Sequence, residues 1–490
     1  MIIDPYSPQP QMDIYESTPN EVSIKVNDDK KEYKSSKIEF NDEPKYQDVW
    51  ASILYLVVVV ITLVIGGISI PNMKLDMDKG GNNKHRKRAN DDDLSVSDIL
   101  IMLGCSIICS GLLTFGYLIL MQKFAGKMIV GTFIISIILN LIYALITLFI
   151  NPIMGGVMLL FAVIYGLCYF FWRSRIPFAK IMLSTVATVT KKFPATIVFS
   201  ICGCFVAAVW YTVIGIIMVA ALSYLGEKLE GAAYAVYVFL LFSFFFSTQV
   251  VNNTVHVTIS GLFATYYFCG VVEPGTSNIE ISVRNPTMKS FKRAITTSFG
   301  SICFGSLIIA VIQTLKALAR QARREGSDEG NILVVILACC AECILQCLGD
   351  IIEYFNVYAF TEVAIYGKSY CQAAKDTWTI CKSHGIEALI NDNLIGNVLS
   401  IGSLTIGCLS TVITCVLGFL VLGVKNVGIL VLFGIISFLI GCMIFSVIAQ
   451  VINSGVATTF VCICEDPDAL RHTKPELWEK VRDTYPSVVL

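Results

Sequence analysis

From Gly231 to Val272 the chain carries no Asp, Glu, Lys or Arg. That run exceeds the roughly 20 apolar residues a helix needs to cross a bilayer core. Uncharged runs of similar kind recur along the chain. Charge collects between them, in the first 48 residues, at 74–98, in short linkers and near the C-terminus. Only 15% of the 490 residues are charged, where a soluble protein would carry about a quarter. The mean hydropathy is +0.70. The pattern specifies an all-α polytopic membrane protein, and the balanced net charge of −1 gives no reason to expect a nucleic-acid partner.

About ten transmembrane helices are expected, over 49–70, 98–121, 128–150, 153–171, 195–222, 233–269, 297–319, 332–360, 397–421 and 427–454. The sixth and eighth are longer than one straight crossing needs, so they are tilted, broken or continued beyond the bilayer. Residues 1–48 are polar, contain proline and lack apolar periodicity, which predicts a disordered cytosolic tail. They show no basic segment followed by an apolar run, so the first span is expected to act as an uncleaved signal anchor. Residues 49–455 form the membrane domain, and 456–490 are expected to be a cytosolic C-terminal tail.

With both termini cytosolic, the basic residues of 172–194, 270–296 and 361–396 fall on the cytosolic side, as the positive-inside rule asks. The loop at 71–97, with Lys84, His85, Arg86, Lys87 and Arg88, and the loop at 317–331, with Arg320, Arg323 and Arg324, then conflict with the rule. A second crossing within span six would repair the conflict. Between spans four and five, WRSRIPFAKIMLSTVATVTKKFP has apolar residues at helical spacing flanked by Arg and Lys, which predicts an amphipathic helix at the cytosolic interface.

Polar residues inside the spans carry the functional signal. In QVVNNTVHVTISG (249–261), Gln249, Asn253, His256 and Ser260 fall on one narrow helical arc, with Asn252 at its edge. They form either a stripe facing a cavity or ordinary hydrogen bonds between helices. In span eight Glu342, Gln346, Asp350, Glu353 and Asn356 also share a face. A carboxylate at membrane depth is costly and normally faces water, a partner or a ligand. Lys316 is the one lysine or arginine within the expected spans, and the sequence assigns Glu342 no partner there. Asp350 and Glu353 are also explained by a position at the interface. The acidic bias favours a cationic or neutral polar solute. Trp210, Tyr266, Tyr354 and Tyr358 lie in the same regions, as an interfacial aromatic belt or as faces that hold an organic cation.

No G-x-x-x-x-G-K-[ST] phosphate loop and no H-E-x-x-H motif is present, and the chain has only four histidines. Neither an enzyme, nor a cofactor, nor a metal site is expected. Most of the 18 cysteines lie in apolar spans as small packing residues. The C-x-x-C at Cys340 and Cys343 lacks a second pair.

The segments NNTVHVTISGLFATYYF (252–268), TTSFGSICFGSLIIAVIQTLK (296–316), FNVYAFTEVAIYGKSYCQAAKDTW (355–378) and VATTFVCICEDPDALRHTKPELWEKVRDTYP (456–486) resemble the choline transporter-like family. The two terminal regions resemble its fungal branch, which implies a multi-pass plasma-membrane protein. The loop after span one is short and lacks the cysteines and glycosylation sites of the animal relatives. The resemblance implies a solute carrier of about ten spans, with choline as the substrate of some animal members. It places Asn252 and His256 in the core of the translocation unit. It also places Tyr358, Ile365, Tyr366, Gly367 and Lys368 in a signature block at the cytosolic end of span eight.

The resulting expectation is a solute transporter for choline or a related small cation, embedded in the lipid bilayer and working by alternating access. Glu342 supplies the counter-charge, Trp210, Tyr266 and Tyr354 the aromatic faces, and Asn252, Asn253 and His256 the polar path, with Tyr358 beside them. The competing expectation is a non-transporting scaffold or sensor acting through its tails. A channel would need rings of like residues or a repeated filter, which the chain does not show.

Overall fold

The computed structural model describes residues 45–72, 96–226, 230–272, 279–281, 283–424 and 426–484. The N-terminal tail up to residue 44 and the basic cluster at 84–88 lie outside the described residues. The elements are α1 (Val49–Ser69), α2 (Val96–Ile150), α3 (Pro152–Trp172), α4 (Ile176–Lys192), α5 (Ala195–Gly226), α6 (Glu230–Cys269), β1 (Gly270–Val272), β2 (Ile279–Ile281), α7 (Pro286–Ile295), α8 (Phe299–Asp328), α9 (Ile332–Tyr366), α10 (Tyr370–Leu420), α11 (Val427–Glu465), α12 (Pro467–Thr473) and α13 (Pro475–Thr484). β1 and β2 pair antiparallel with Val271 opposite Glu280. The outward helix faces are apolar, with Phe149, Ile150 and Ile153 among the most exposed side chains. A bundle in lipid has that surface, because its exterior needs no water.

Among the described residues nine helices are long and apolar enough to cross a membrane. The ten expected spans fall on these nine because spans two and three share α2. That helix bends at Phe124, whose φ/ψ of −122° and 26° is non-helical. The two limbs fold toward one region of α10. Tyr117 donates to Val398 O (2.8 Å), and Ser136 donates to Asn397 Oδ1 (3.3 Å). The second limb turns sharply into α3. Asn151 caps α3 by accepting from the N–H groups of Ile153 and Met154, and Pro152 opens the helix without needing a hydrogen bond. Gly155 permits the turn, since a Cβ there would lie 2.1 Å from Leu148 Cα.

Small residues let the helices approach. A Cβ on Gly441 of α11 would lie 2.9 Å from Gly407 Cα of α10. Beside them, buried hydroxyls of Ser106, Ser410, Ser437 and Thr414 link α2, α10 and α11. This is the packing expected where no water drives helices together.

Three expectations change in the structure. The expected loop at 317–331 is helical to Asp328, and its Arg320 and Arg323 find a partner in Glu342 on α9. The amphipathic helix forms as α4, but its apolar face, with Phe178, Met182, Leu183 and Val186, enters the protein core against α2 and α11. The segment from 456 is no loose tail: α11 continues to Glu465, and α12 and α13 bury Leu470 and Val481.

One end of the bundle gathers both ends of the described chain. Asp48, just before α1, accepts from Ser301 Oγ near the start of α8 (2.8 Å) and from the N–H of Tyr370, the first residue of α10 (2.7 Å). Lys474, between α12 and α13, donates to the carbonyls of Tyr266 (2.8 Å) and Tyr267 (3.0 Å) in the last turn of α6. A cation is favoured there by the helix dipole.

Candidate functional site

α6 runs unbroken through 249–261, so the asparagine pair is neither a loop nor a second crossing. Its polar arc meets three other helices. Gln249 Nε2 donates to Glu353 Oε1 on α9 (3.5 Å), and Asn253 Nδ2 donates to Ser306 Oγ on α8 (2.9 Å). His256 Nε2 lies 2.9 Å from Val357 O on α9, and Nδ1 lies 2.8 Å from Ser454 Oγ on α11. A carbonyl only accepts, so Nε2 carries a proton, and in the neutral ring Nδ1 accepts from the Ser454 hydroxyl. Ser260 is buried with no side-chain partner among the described residues. Asn252 points off the arc and is exposed, while its carbonyl accepts from Gln450 (3.5 Å).

The acidic stripe of α9 is read differently once α8 is beside it. Glu342 pairs with Arg320 Nε (2.8 Å) and Arg323 Nε (3.1 Å). Lys316 donates to Gln346 Oε1 (2.8 Å), and Gln346 donates to Asp350 (2.6 Å). The expectation that no base is available to Glu342 is therefore corrected. The arginines lie on the part of α8 that was expected to be a loop.

Asp392 on α10 is a carboxylate with no basic partner among the described residues and with aromatic side chains around it. Tyr358 donates its hydroxyl to Asp392 Oδ2, and the Tyr354 and Tyr358 hydroxyls lie 3.4 Å apart. The two rings meet edge-on with centroids 5.4 Å apart, and Phe460 of α11 packs edge-on to Tyr358 at 6.3 Å. Two of the sequence-selected aromatics thus flank a carboxylate that the sequence reading left in a linker. A signal was present: the apolar residues Ala388, Leu394, Ile395, Val398 and Leu399 around it keep helical spacing and are all buried.

The other selected residues lie elsewhere. Trp210 lines an apolar cavity of about 290 Å³ with Tyr55, Val59, Phe205 and Val251. Its Nε1 is buried without a partner among the described residues. Tyr266 is buried, and its ring already faces the Lys474 ammonium, 4.3 Å from the centroid. Burial pushes that lysine down to about 7.

The signature block closes α9. Gly367 takes φ +67° at the helix C-terminus, a conformation that glycine adopts without strain. The chain then reverses, and Lys368 reaches back to Glu362 Oε2 (3.0 Å) while also meeting Asp376 Oδ2 (2.7 Å). Its ammonium lies 4.0 Å from the Tyr366 ring centroid, and Tyr366 donates to Glu465 on α11. Burial alone would lower the Lys368 pKa, but Glu362, Asp376 and Glu465 outweigh it and hold the group above the ordinary lysine value. Tyr366, Lys368, Thr379, Ile380, Ser383, Cys464 and Glu465 bound a cavity of about 450 Å³. Tyr358 and Ile365 of the same block are buried in the core. Nearby, Arg293 of α7 donates to Ala364 O in the last turn of α9. Among the described residues no group of three or more His, Cys, Asp or Glu could hold a metal ion.

The family model described as plasma-membrane choline transporter matches residues 156–468. A CTL-like protein of Dictyostelium discoideum is 32% identical over 444 residues, covering 90% of this chain and 76% of that protein. Protein PNS1 of Neurospora crassa is 32% identical over 464 residues, covering 91% of this chain and 81% of its own. Protein PNS1 of Gibberella zeae is 30% identical over 463 residues, with 91% and 84% covered.

Proposed function

Since the chain belongs to the choline transporter-like family, we propose that it is a plasma-membrane solute transporter that moves choline or a related small cation by alternating access. The observation that carries this reading is Asp392, a carboxylate on an apolar helix with the Tyr354 and Tyr358 hydroxyls and rings around it. A quaternary ammonium has no N–H to donate, so a protein holds it by aromatic faces and a carboxylate. Each desolvated face contributes about 2 kcal/mol. Asp392 takes the counter-charge role, because Glu342 is already neutralised by two arginines. Gln249, Asn253 and His256 order a polar path along α6. The chain has no phosphate loop, so solute and ion gradients would drive transport.

The test is uptake of radiolabelled choline into proteoliposomes holding the purified protein. Saturable uptake is expected for the wild type, with a loss on the order of tenfold or more in D392N, since the lost charge pair is desolvated. A wild type that takes up no more than empty liposomes would remove choline. The search would then pass to other polar solutes or to a scaffold.

A further inference from the structure

Tyr354, Tyr358, Glu362 and Tyr366 recur every four residues along α9 and so lie along one ridge. About 12 Å separates Tyr358 from Tyr366 along the helix axis. The first part of the ridge meets Asp392. The second part repeats the same chemistry with a different tenant. There the Lys368 ammonium lies 4.0 Å from the Tyr366 ring centroid, 3.0 Å from Glu362 Oε2 and 2.7 Å from Asp376 Oδ2. That is how an organic cation sits against an aromatic face and a carboxylate.

The station holds more acceptor capacity than one lysine uses. Glu362 is fully buried, and its Oε1 receives no hydrogen bond from any described residue. Glu465 adds a third carboxylate at the Tyr366 hydroxyl. A cavity of about 450 Å³, bounded by Tyr366, Lys368 and Glu465, adjoins the lysine and has the size of a small-molecule site. Lys368 itself stands on the short non-helical link between α9 and α10, directly after Gly367. It can swing without unwinding either helix.

We propose that the Tyr366–Glu362–Asp376–Glu465 cluster is a second station for a small organic cation, which the Lys368 ammonium occupies as a tethered competitor that a passing cation displaces. This rests on the reading of the chain as a cation transporter. Lys368 then offsets part of the station's negative charge when it is empty and sets how tightly a cation is held there.

The test is equilibrium binding of radiolabelled tetramethylammonium to the full chain in nanodiscs. K368M is expected to bind a second equivalent per chain, or to bind at least about tenfold more tightly than the wild type. Y366L/K368M is expected to return to wild-type binding. A folded K368M that binds as the wild type does overturns the proposal. K368M leaves Glu362 buried without its counter-charge, so E362Q/K368M, which removes the pair together, is measured beside it. That variant keeps Tyr366, Asp376 and Glu465 and is expected to retain the added binding. Wild-type binding in it overturns the proposal equally. Choline uptake by the wild type is scored separately, so a protein that transports but gains no site in K368M sinks only this inference. One that gains the site but takes up no choline sinks only the transport reading.

Discussion

At the scale of single residues, the carboxylates divide by what stands opposite them. Glu342 faces Arg320 and Arg323 on the neighbouring helix, both well exposed to solvent, whereas Asp392 faces tyrosine hydroxyls and no base. E342Q is therefore expected to keep choline uptake within about twofold of the wild type, as solvent-exposed ion pairs contribute little. D392N loses it. Loss in E342Q with uptake retained in D392N would return the counter-charge to Glu342. The polar arc of α6 was legible residue by residue, because helical periodicity alone fixes which side chains share a face. The partners of that arc, Ser306, Val357 and Ser454, were not legible, since they come from three other helices.

At the scale of elements, Lys474 ties the C-terminal pair α12 and α13 to the carbonyls that end α6. Burial lowers its pKa from 10.5 to about 7. Between those values the unfolded chain holds a proton that the folded chain lacks, so stability rises with pH across the window. The gain is at most about 1.4 kcal/mol per pH unit. K474M removes the titrating group. Thermal midpoints in detergent should therefore show the wild type gaining on K474M as pH rises from 7 to 10. A difference that stays constant with pH would mean that the α6 carbonyls keep the lysine charged throughout. The bend at Phe124 shows where element-level reading ran out. Lys123 and Lys127 bracket it, and charge between two apolar runs reads as a loop. The structure keeps the two spans as two helices but joins them through a kink at a single non-helical residue rather than through a loop.

At the scale of the whole molecule, Asp48 and Lys474 place both ends of the described chain at one end of the bundle. The α2 bend joins α4 at this end, through Ser184 Oγ on Gln122 O (3.1 Å) and Lys180 against Gly126. Lys123, Lys127, Arg173, Arg175, Lys180, Lys191 and Lys192 gather there, with no Asp or Glu between Asp98 and Glu227. The positive-inside rule assigns such a face to the cytosol. Tags at the two chain ends are then expected to be protected from external protease together in intact cells. Cleavage of only one of them would break this topology. Hydropathy and period along the chain determined the membrane class and the phase of each polar stripe, because a helix in lipid must satisfy its own backbone and sort its side chains locally. Only the tertiary structure decided which charges neutralise each other. Arg320 finds Glu342 across 22 residues, and Tyr358 finds Asp392 across 34. Coulomb and hydrogen-bond energies depend on distance in space, and helix packing sets that distance.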